Sequence, residues 1–386
     1  MVPTNRNELS TLIDLQRLSQ QHRNWEAISA RLESHPHEAS IKHRLGYSPL
    51  EVALRCEQTP PTVIRSFLRA YPSALLRGRK GWTPLFTACS YNQSIHTIQI
   101  LLDAHPPAAS QRTDQGRIPL HVTRNIEVVD LLLRAFPGGV SAQDYRGKTP
   151  LHYAASRGGS PDVIRSLIAE NFDEGIEGPF AWDEDGRTPL DILYSKIVNA
   201  GYEEDYLCPP QTRLWESLTL LVRATVNQSN HPHLSDEPFR MLHAAVEIGC
   251  PPMVVWHALK IYPEQLRERD SIGRVPLSIV ASMVTNDSTS EVIRMLTDTK
   301  CGYPQAACMA NNEGRLPLHL ISETRAQFHE GIQHIFHGAP HAIETRDAKT
   351  GLFPFALAAV GENGCLDSVF CLLREAPAVL LNFAHR

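Results

Sequence analysis

One five-residue phrase, Gly-x-x-Pro-Leu, returns along almost the whole of this 386-residue chain. It reads GYSPL at Gly46, GWTPL at Gly81, GRIPL at Gly116, GKTPL at Gly147 and GRTPL at Gly186. It comes back as GRVPL at Gly273, GRLPL at Gly314 and, in the variant GLFPF, at Gly351. A degenerate copy, PFRMLHAA, starts at Pro238. The successive spacings are 35, 35, 31, 39, 52, 35, 41 and 37 residues. A single hydrophobic core does not demand such a period. A stack of units, each buried against the next, does.

The copy from Gly147 to Ile168 shows what one unit encodes. Gly147 supplies the positive φ of a tight turn. Thr149 is placed to cap a helix with its hydroxyl, and Pro150 suits the first helical position, where no N–H is needed. Leu151, Ala154 and Ala155 give that short helix a close-packing face. Arg157 to Pro161 (RGGSP) ends it and starts a second helix, where Val163, Ile164, Leu167 and Ile168 form one apolar stripe. Helices this short are marginal alone, so the unit must bury its apolar faces on neighbours.

The run TPLHYA at Thr149 to Ala154 matches the T-P-L-H-x-A signature of the ankyrin repeat. With nine registered copies, the chain resembles an ankyrin-repeat protein over nearly its whole length. The resemblance implies an all-α fold, an ankyrin-repeat solenoid of about nine to ten helix–turn–helix repeats. It also implies that the motif histidines, His121, His152, His243 and His319, bridge neighbouring turns by hydrogen bonds and are neither ligands nor bases. Other copies depart from the pattern: Glu51, Phe86, Asp191, Ser278 and Ala356 replace the histidine. Ile118, Val275, Leu316 and Phe353 replace the cap threonine. The second helices end on proline at positions 72, 106, 137, 263, 340 and 377, which stops them. With Pro36, these stops and the eight motif turns take 15 of the 28 prolines, so the repeat explains the high proline content.

The expected organisation follows. Residues 1–45 form an N-terminal capping helix pair, with one amphipathic helix over Asn7 to Gln20 and a second around Trp25, Ile28 and Leu32. Residues 46–198 form the N-terminal block of repeats, 199–238 a divergent repeat with an insertion, and 239–386 the C-terminal block. The repeat at Gly116 is four residues shorter than its predecessor, which predicts a first helix lacking about one turn. At the C-terminus, either the last helix pair is a cap or the natural chain continues past Arg386.

Composition excludes several functions. The charge of −5 from 37 basic and 42 acidic residues gives no polycation for nucleic acid. No apolar run approaches the length of a membrane span, and the N-terminus does not read as a secretory signal. Eight scattered cysteines without CxxC pairs read as reduced thiols in an intracellular compartment, cytoplasmic or nuclear. The three N-x-S sequons, at Asn92, Asn227 and Asn286, read as chance matches. Phosphate loops, G-x-S-x-G elbows and kinase motifs are absent from the sequence. HEGIQH at His329 to His334 spaces its histidines i, i+5, where a zincin helix needs i, i+4. No catalytic, metal or cofactor residue is therefore expected.

What remains is surface. The resemblance implies fingers and first helices lining a concave groove that binds proteins. Partner-binding candidates on the fingers are Arg79, Trp82, Tyr145, Arg146, Trp182, Asp183 and Asp185, with Asp144, Asp270 and Arg274 in matching positions. On the helices they are Tyr91, Tyr153 and Arg157, with Val52 and Thr87 in register. Tyr202, Glu204 and Tyr206 lie in the acidic, aromatic-flanked insertion. Trp, Tyr and Arg are the types enriched at binding hot spots. Residues 1–120 carry 14 basic and 9 acidic residues, whereas 170–240 carry 5 and 14. The reading is a monomeric, non-catalytic intracellular scaffold or adaptor for protein partners. The alternative is a regulatory or substrate-recognition subunit of an enzyme complex, or a cryptic enzyme with its site near the 199–238 insertion. That insertion holds no nucleophile–base pair and no metal-ligand set, which favours the first reading.

Overall fold

The computed structural model describes residues 25–42, 46–56, 59–76, 78–172, 181–199, 209–228, 239–283, 286–324, 326–360 and 365–377. Among these, every regular element is a helix. The chain divides into two compact units, Met1–Leu221 and Val222–Arg386.

In the first unit, α1 (Trp25–Ser34) is followed by α2 (Pro49–Ala53) and α3 (Pro61–Ala70), α4 (Pro84–Ser90) and α5 (Ile95–Ala104), then α6 (Ile126–Ala135). After these come α7 (Pro150–Ser156), α8 (Pro161–Phe172), α9 (Pro189–Asn199) and α10 (Pro209–Gln228), the last of which contains the division. First helices pack on first helices, as α2 on α4 and α7 on α9. Second helices pack on second helices, as α1 on α3, α3 on α5, and α6 on α8. The repeat at Gly116 has only a short 3-10 turn, Pro119–His121, in place of a first α-helix. That is the lost turn expected from its length. The expected helix over Asn7 to Gln20 lies outside the described residues.

The second unit repeats the scheme with α11 (Met241–Glu247) and α12 (Pro252–Ile261), α13 (Pro276–Ala281) and α14 (Asp287–Thr297), α15 (Pro317–Ser322) and α16 (Ile332–Gly338), and α17 (Pro354–Val360) and α18 (Leu366–Glu375). Here α11, α13, α15 and α17 stack in sequence, as do α12, α14 and α16. The core of each unit is aliphatic: Leu50, Leu85, Leu151, Ile98 and Ile164 in the first, Leu242, Leu277, Leu318, Val255 and Ile293 in the second are at most 1% exposed.

The motif turns explain the period. All eight motif glycines have positive φ, from Gly46 (80°) to Gly351 (72°). At Gly147 a Cβ would also stand 3.1 Å from the carbonyl oxygen of Trp182, so the next finger can lie against it only because the side chain is missing. Consecutive fingers are joined through the backbone: Asp114 N–H donates to Lys80 O (3.1 Å), Tyr145 N–H to Gln115 O (3.1 Å) and Glu184 N–H to Arg146 O (2.9 Å).

Candidate functional site: the aromatic–arginine face of the first unit

The motif histidines belong to the scaffold. Nδ1 of His121 accepts from Ile118 N–H (3.2 Å), and its Nε2 lies 3.0 Å from Lys148 O in the next finger. His152 accepts from Thr149 N–H (3.1 Å) and reaches Arg187 O (3.2 Å). His319 accepts from Leu316 N–H (3.2 Å) and reaches Thr345 O (3.2 Å). A ring that accepts at Nδ1 and donates at Nε2 is neutral. Burial lowers the pKa of all four motif histidines, to about 4 for His121 and His243. In the degenerate repeat His243 keeps its bridge to Glu268 O (3.1 Å), but its buried Nδ1 has no described partner.

Hydroxyl capping is found at two of the three motif threonines. Thr83 accepts from Phe86 N–H (3.1 Å), and Thr188 accepts from Asp191 N–H (3.2 Å). At Thr149 the hydroxyl instead lies 2.8 Å from Nδ1 of His152, so the backbone cap expected there is replaced by an imidazole contact.

Several expected groove residues prove to be structural. Asp183 is 6% exposed. Its Oδ1 accepts from Asp185 N–H (3.0 Å) and Arg187 N–H (2.9 Å), closing the finger from within. Asp144 and Asp270 do the same in their own fingers. Burial alone would raise the Asp183 carboxyl, but the Arg187 N–H and guanidinium outweigh it and hold the group below its ordinary range. Asp183 is therefore removed from the exposed set, because the finger's own N–H groups need an acceptor. Val52 and Thr87 are buried as well, and the Thr87 hydroxyl donates back to Thr83 O (3.1 Å). In the second unit Arg274 is bound to Asp270 (2.9 Å) and Glu247 (3.0 Å). The insertion residues Tyr202, Glu204 and Tyr206 lie outside the described residues.

The remaining candidates are on the surface, and part of them form a continuous array. The Arg55 guanidinium sits 3.6 Å above the Tyr47 ring, 5.6 Å from Tyr91 and 5.8 Å from Trp82. Arg79 adds a second cation 5.6 Å from Tyr47. Trp82 packs on Phe86 at 4.8 Å, and Arg117 lies 5.9 Å from that ring. Tyr153 meets His121 edge-on at 5.5 Å, donates its hydroxyl to Asp144 (2.7 Å), and carries Arg157 at 5.4 Å. Burial and the Asp144 hydrogen bond raise the Tyr153 phenol, partly offset by Arg117. The hydrogen bond from Arg55 lowers the Tyr47 phenol. Tyr91 is 38% exposed, while Tyr145 and Trp182 reach 66% and 61% on their fingers. Arg146 and Asp185 are exposed beside them, with Asp185 paired to Arg187.

Arg117 is one of the variable finger positions that the sequence marks, whereas Tyr47 and Arg55 are not among the residues it points to. The signal for Arg55 is its position at the end of a first helix, close to the register of Tyr91 and Arg157. Among the described residues no group of three or more His, Cys, Asp or Glu is arranged to hold a metal, and no helix is long and apolar enough to cross a membrane.

Comparison with known families agrees with this geometry. Residues 122–196 match the family model described as ankyrin repeats (3 copies). No curated protein matches the chain. Ankyrin repeats are in general protein–protein interaction modules, and the family is typically non-catalytic. The matched segment contains the turns at Gly147 and Gly186, and the same positive-φ glycine, proline-started first helix and histidine bridge recur outside it. Residues 122–196 are ankyrin repeats, and the turns on either side of them are built in the same way.

Proposed function

We propose that this chain is a non-catalytic intracellular adaptor that binds a protein partner through the aromatic–arginine face of its first unit. The observation that carries this reading is the series Arg79–Tyr47–Arg55–Trp82, tied through the buried Phe86 to Arg117 and continued by Tyr153 and Arg157. Tyr and Trp rings bury much area at low entropic cost and can still hydrogen-bond, and Arg adds a planar fork of donors, so these types dominate the energetics of protein interfaces. Stacked together, they are also held in place before a partner arrives, which lowers the cost of binding. A scaffold of stacked repeats keeps neighbouring side chains in fixed register. Nucleic acid is not favoured, since the chain is net acidic.

The test is partner capture from cell extract, read by mass spectrometry, with the intact chain and a Trp82→Ala, Tyr91→Ala double variant. The variant should keep its helical circular dichroism and lose at least one partner that the parent retains. If the folded variant captures every partner at parental yield, the face is not the binding surface.

A further inference from the structure

At the C-terminal end of α7 lies a cleft of about 470 Å³ whose charge is unbalanced. Arg124, Arg157 and Lys196 line it, with the hydroxyl residues Thr123, Ser156 and Ser160 between them and no Asp or Glu in the lining. Among the described residues, neither Arg124 nor Arg157 is paired with a carboxylate. Arg157 is half-buried, and burial, Arg124 and Arg117 all disfavour its charge, with Tyr153 opposing them. Lys196 is fixed across the mouth by donating to Ser156 O (3.0 Å). It lies close over Gly158, where φ is +66° and a Cβ would stand 3.3 Å from the lysine Cε. Three converging cations, one of them partly desolvated, are stable together only at a cost that an anion would remove.

We infer that this cleft receives a side-chain carboxylate from an acidic segment of the partner protein, anchoring that segment to the aromatic–arginine face. The inference rests on that face being the protein-binding surface, and names the chemistry of its partner. A guanidinium fork binds a carboxylate through two parallel hydrogen bonds, and the cleft offers two such forks, an ammonium and the Ser160 hydroxyl, those of Thr123 and Ser156 being donated to Pro119 O and Tyr153 O. Its volume exceeds one carboxylate and leaves room for the chain that carries it. Arg157 both lines the cleft and lies 5.4 Å from the Tyr153 ring, so an anchored segment has the rings within reach.

The test is a fluorescence-anisotropy titration of the full chain at low salt with three labelled peptides of roughly twelve residues. One alternates Glu with Ser, one has Gln for every Glu, and one is the Gln peptide with phosphoserine for serine. The Glu peptide should bind at least about ten-fold more tightly than the Gln peptide, with the difference shrinking as salt rises. Arg124→Gln with Arg157→Gln should abolish that preference, and Arg157→Lys should restore part of it. Lys196→Met, a single change at the mouth, should weaken it if the double variant fails to fold. Equal affinity for the Glu and Gln peptides overturns the proposal, as does a preference that survives in the folded variants. Tight binding of the phosphoserine peptide alone also overturns it, assigning the cleft to phosphate. Failure here with partner capture still sensitive to Trp82 and Tyr91 removes only the acidic-segment chemistry. Loss of that sensitivity removes the binding face itself.

Discussion

Arg117 in the first unit and Arg315 in the second both follow the glycine of a G-R-x-P-L turn. Arg117 faces the Phe86 ring and bonds the neutral Gln115 amide and the Tyr153 hydroxyl, with no carboxylate bound to it among the described residues. Arg315 is 4% exposed and clamped between Asp347 (2.8 Å) and Glu323 (2.6 Å). Arg274, in the matching turn of the second unit, is likewise held by Asp270 and Glu247. The cause lies in two adjacent register positions at the end of the first helix. The last residues of the first helices and the turns after them supply Arg55, Tyr91, Arg157 and Lys196 in the first unit, but Glu247, Met283 and Glu323 in the second. One motif arginine therefore becomes an internal strut where a glutamate faces it, and part of an open cationic face where none does.

The largest effect that tests this contrast is on stability. Asp347→Ala should cost about 3 kcal/mol, because Arg315 loses its buried partner and keeps only the part-exposed Glu323. Arg117→Ala should cost under about 1 kcal/mol, as expected for a side chain outside any buried ion pair. Urea titrations of both variants measure the difference, and equal costs would erase the distinction between strut and open face.

Acid should act on both units alike through their histidines. The folded-state pKa of about 4 for His121 and His243 lies below the unfolded value near 6.5. Above about pH 6.5 both states hold these rings neutral and the stability they confer is complete. Between about 6.5 and 4 the unfolded chain binds more protons, so stability falls as pH falls, by on the order of 3 kcal/mol per histidine. The Asp347 carboxyl is held below its ordinary range, with its hydrogen bond from Arg315 outweighing burial. Its contribution is lost only in more acid solution, as pH falls through that depressed value. Urea midpoints at pH 7, 5.5 and 4.5 check the sign, and a rise in stability on acidification would contradict it.

The scaffold was legible because its signals are local. Positive-φ glycines, proline at the first helical turn and proline after the second helix each act within a few residues, and a four-residue deficit at Gly116 appeared directly as a missing turn. The site was less so, because exposure depends on which backbone groups need partners. Asp183 looked like a finger-tip charge. In fact an Asp, Asn or Thr three residues before the motif glycine closes the finger, as at Thr113, Asp144, Asp183, Asp270 and Asn311. Thr149 looked like a cap, but a histidine three residues on took its hydroxyl. Arg124 and Lys196 come from different repeats and only the stacking brings them beside Arg157, so no spacing within one repeat announces the cleft.

A smaller effect separates the turns themselves. Thr83→Val keeps the shape and removes the hydroxyl that caps Phe86 N–H, and should cost about 1 kcal/mol. The matching second-unit turn starts at Val275, which has no cap hydrogen bond to lose, so Val275→Ala should show only the loss of packing. Hydrogen exchange at the first-turn amides distinguishes the two. Faster exchange at Phe86 in Thr83→Val, with Ser278 unchanged in Val275→Ala, is the expected pattern. Identical changes at both sites would deny the hydroxyl its role.

The most direct test of the contrast between the units places a photo-crosslinking amino acid at position 91 in one protein and at position 283 in another. These two positions share one register, after the first helix of their repeats, and differ only in the face around them. Irradiation in cells followed by mass spectrometry should give a partner adduct from position 91, with the crosslinked partner peptide rich in Asp and Glu, and none from position 283. A partner adduct from position 283 with none from position 91 would contradict the assignment of binding to the first unit.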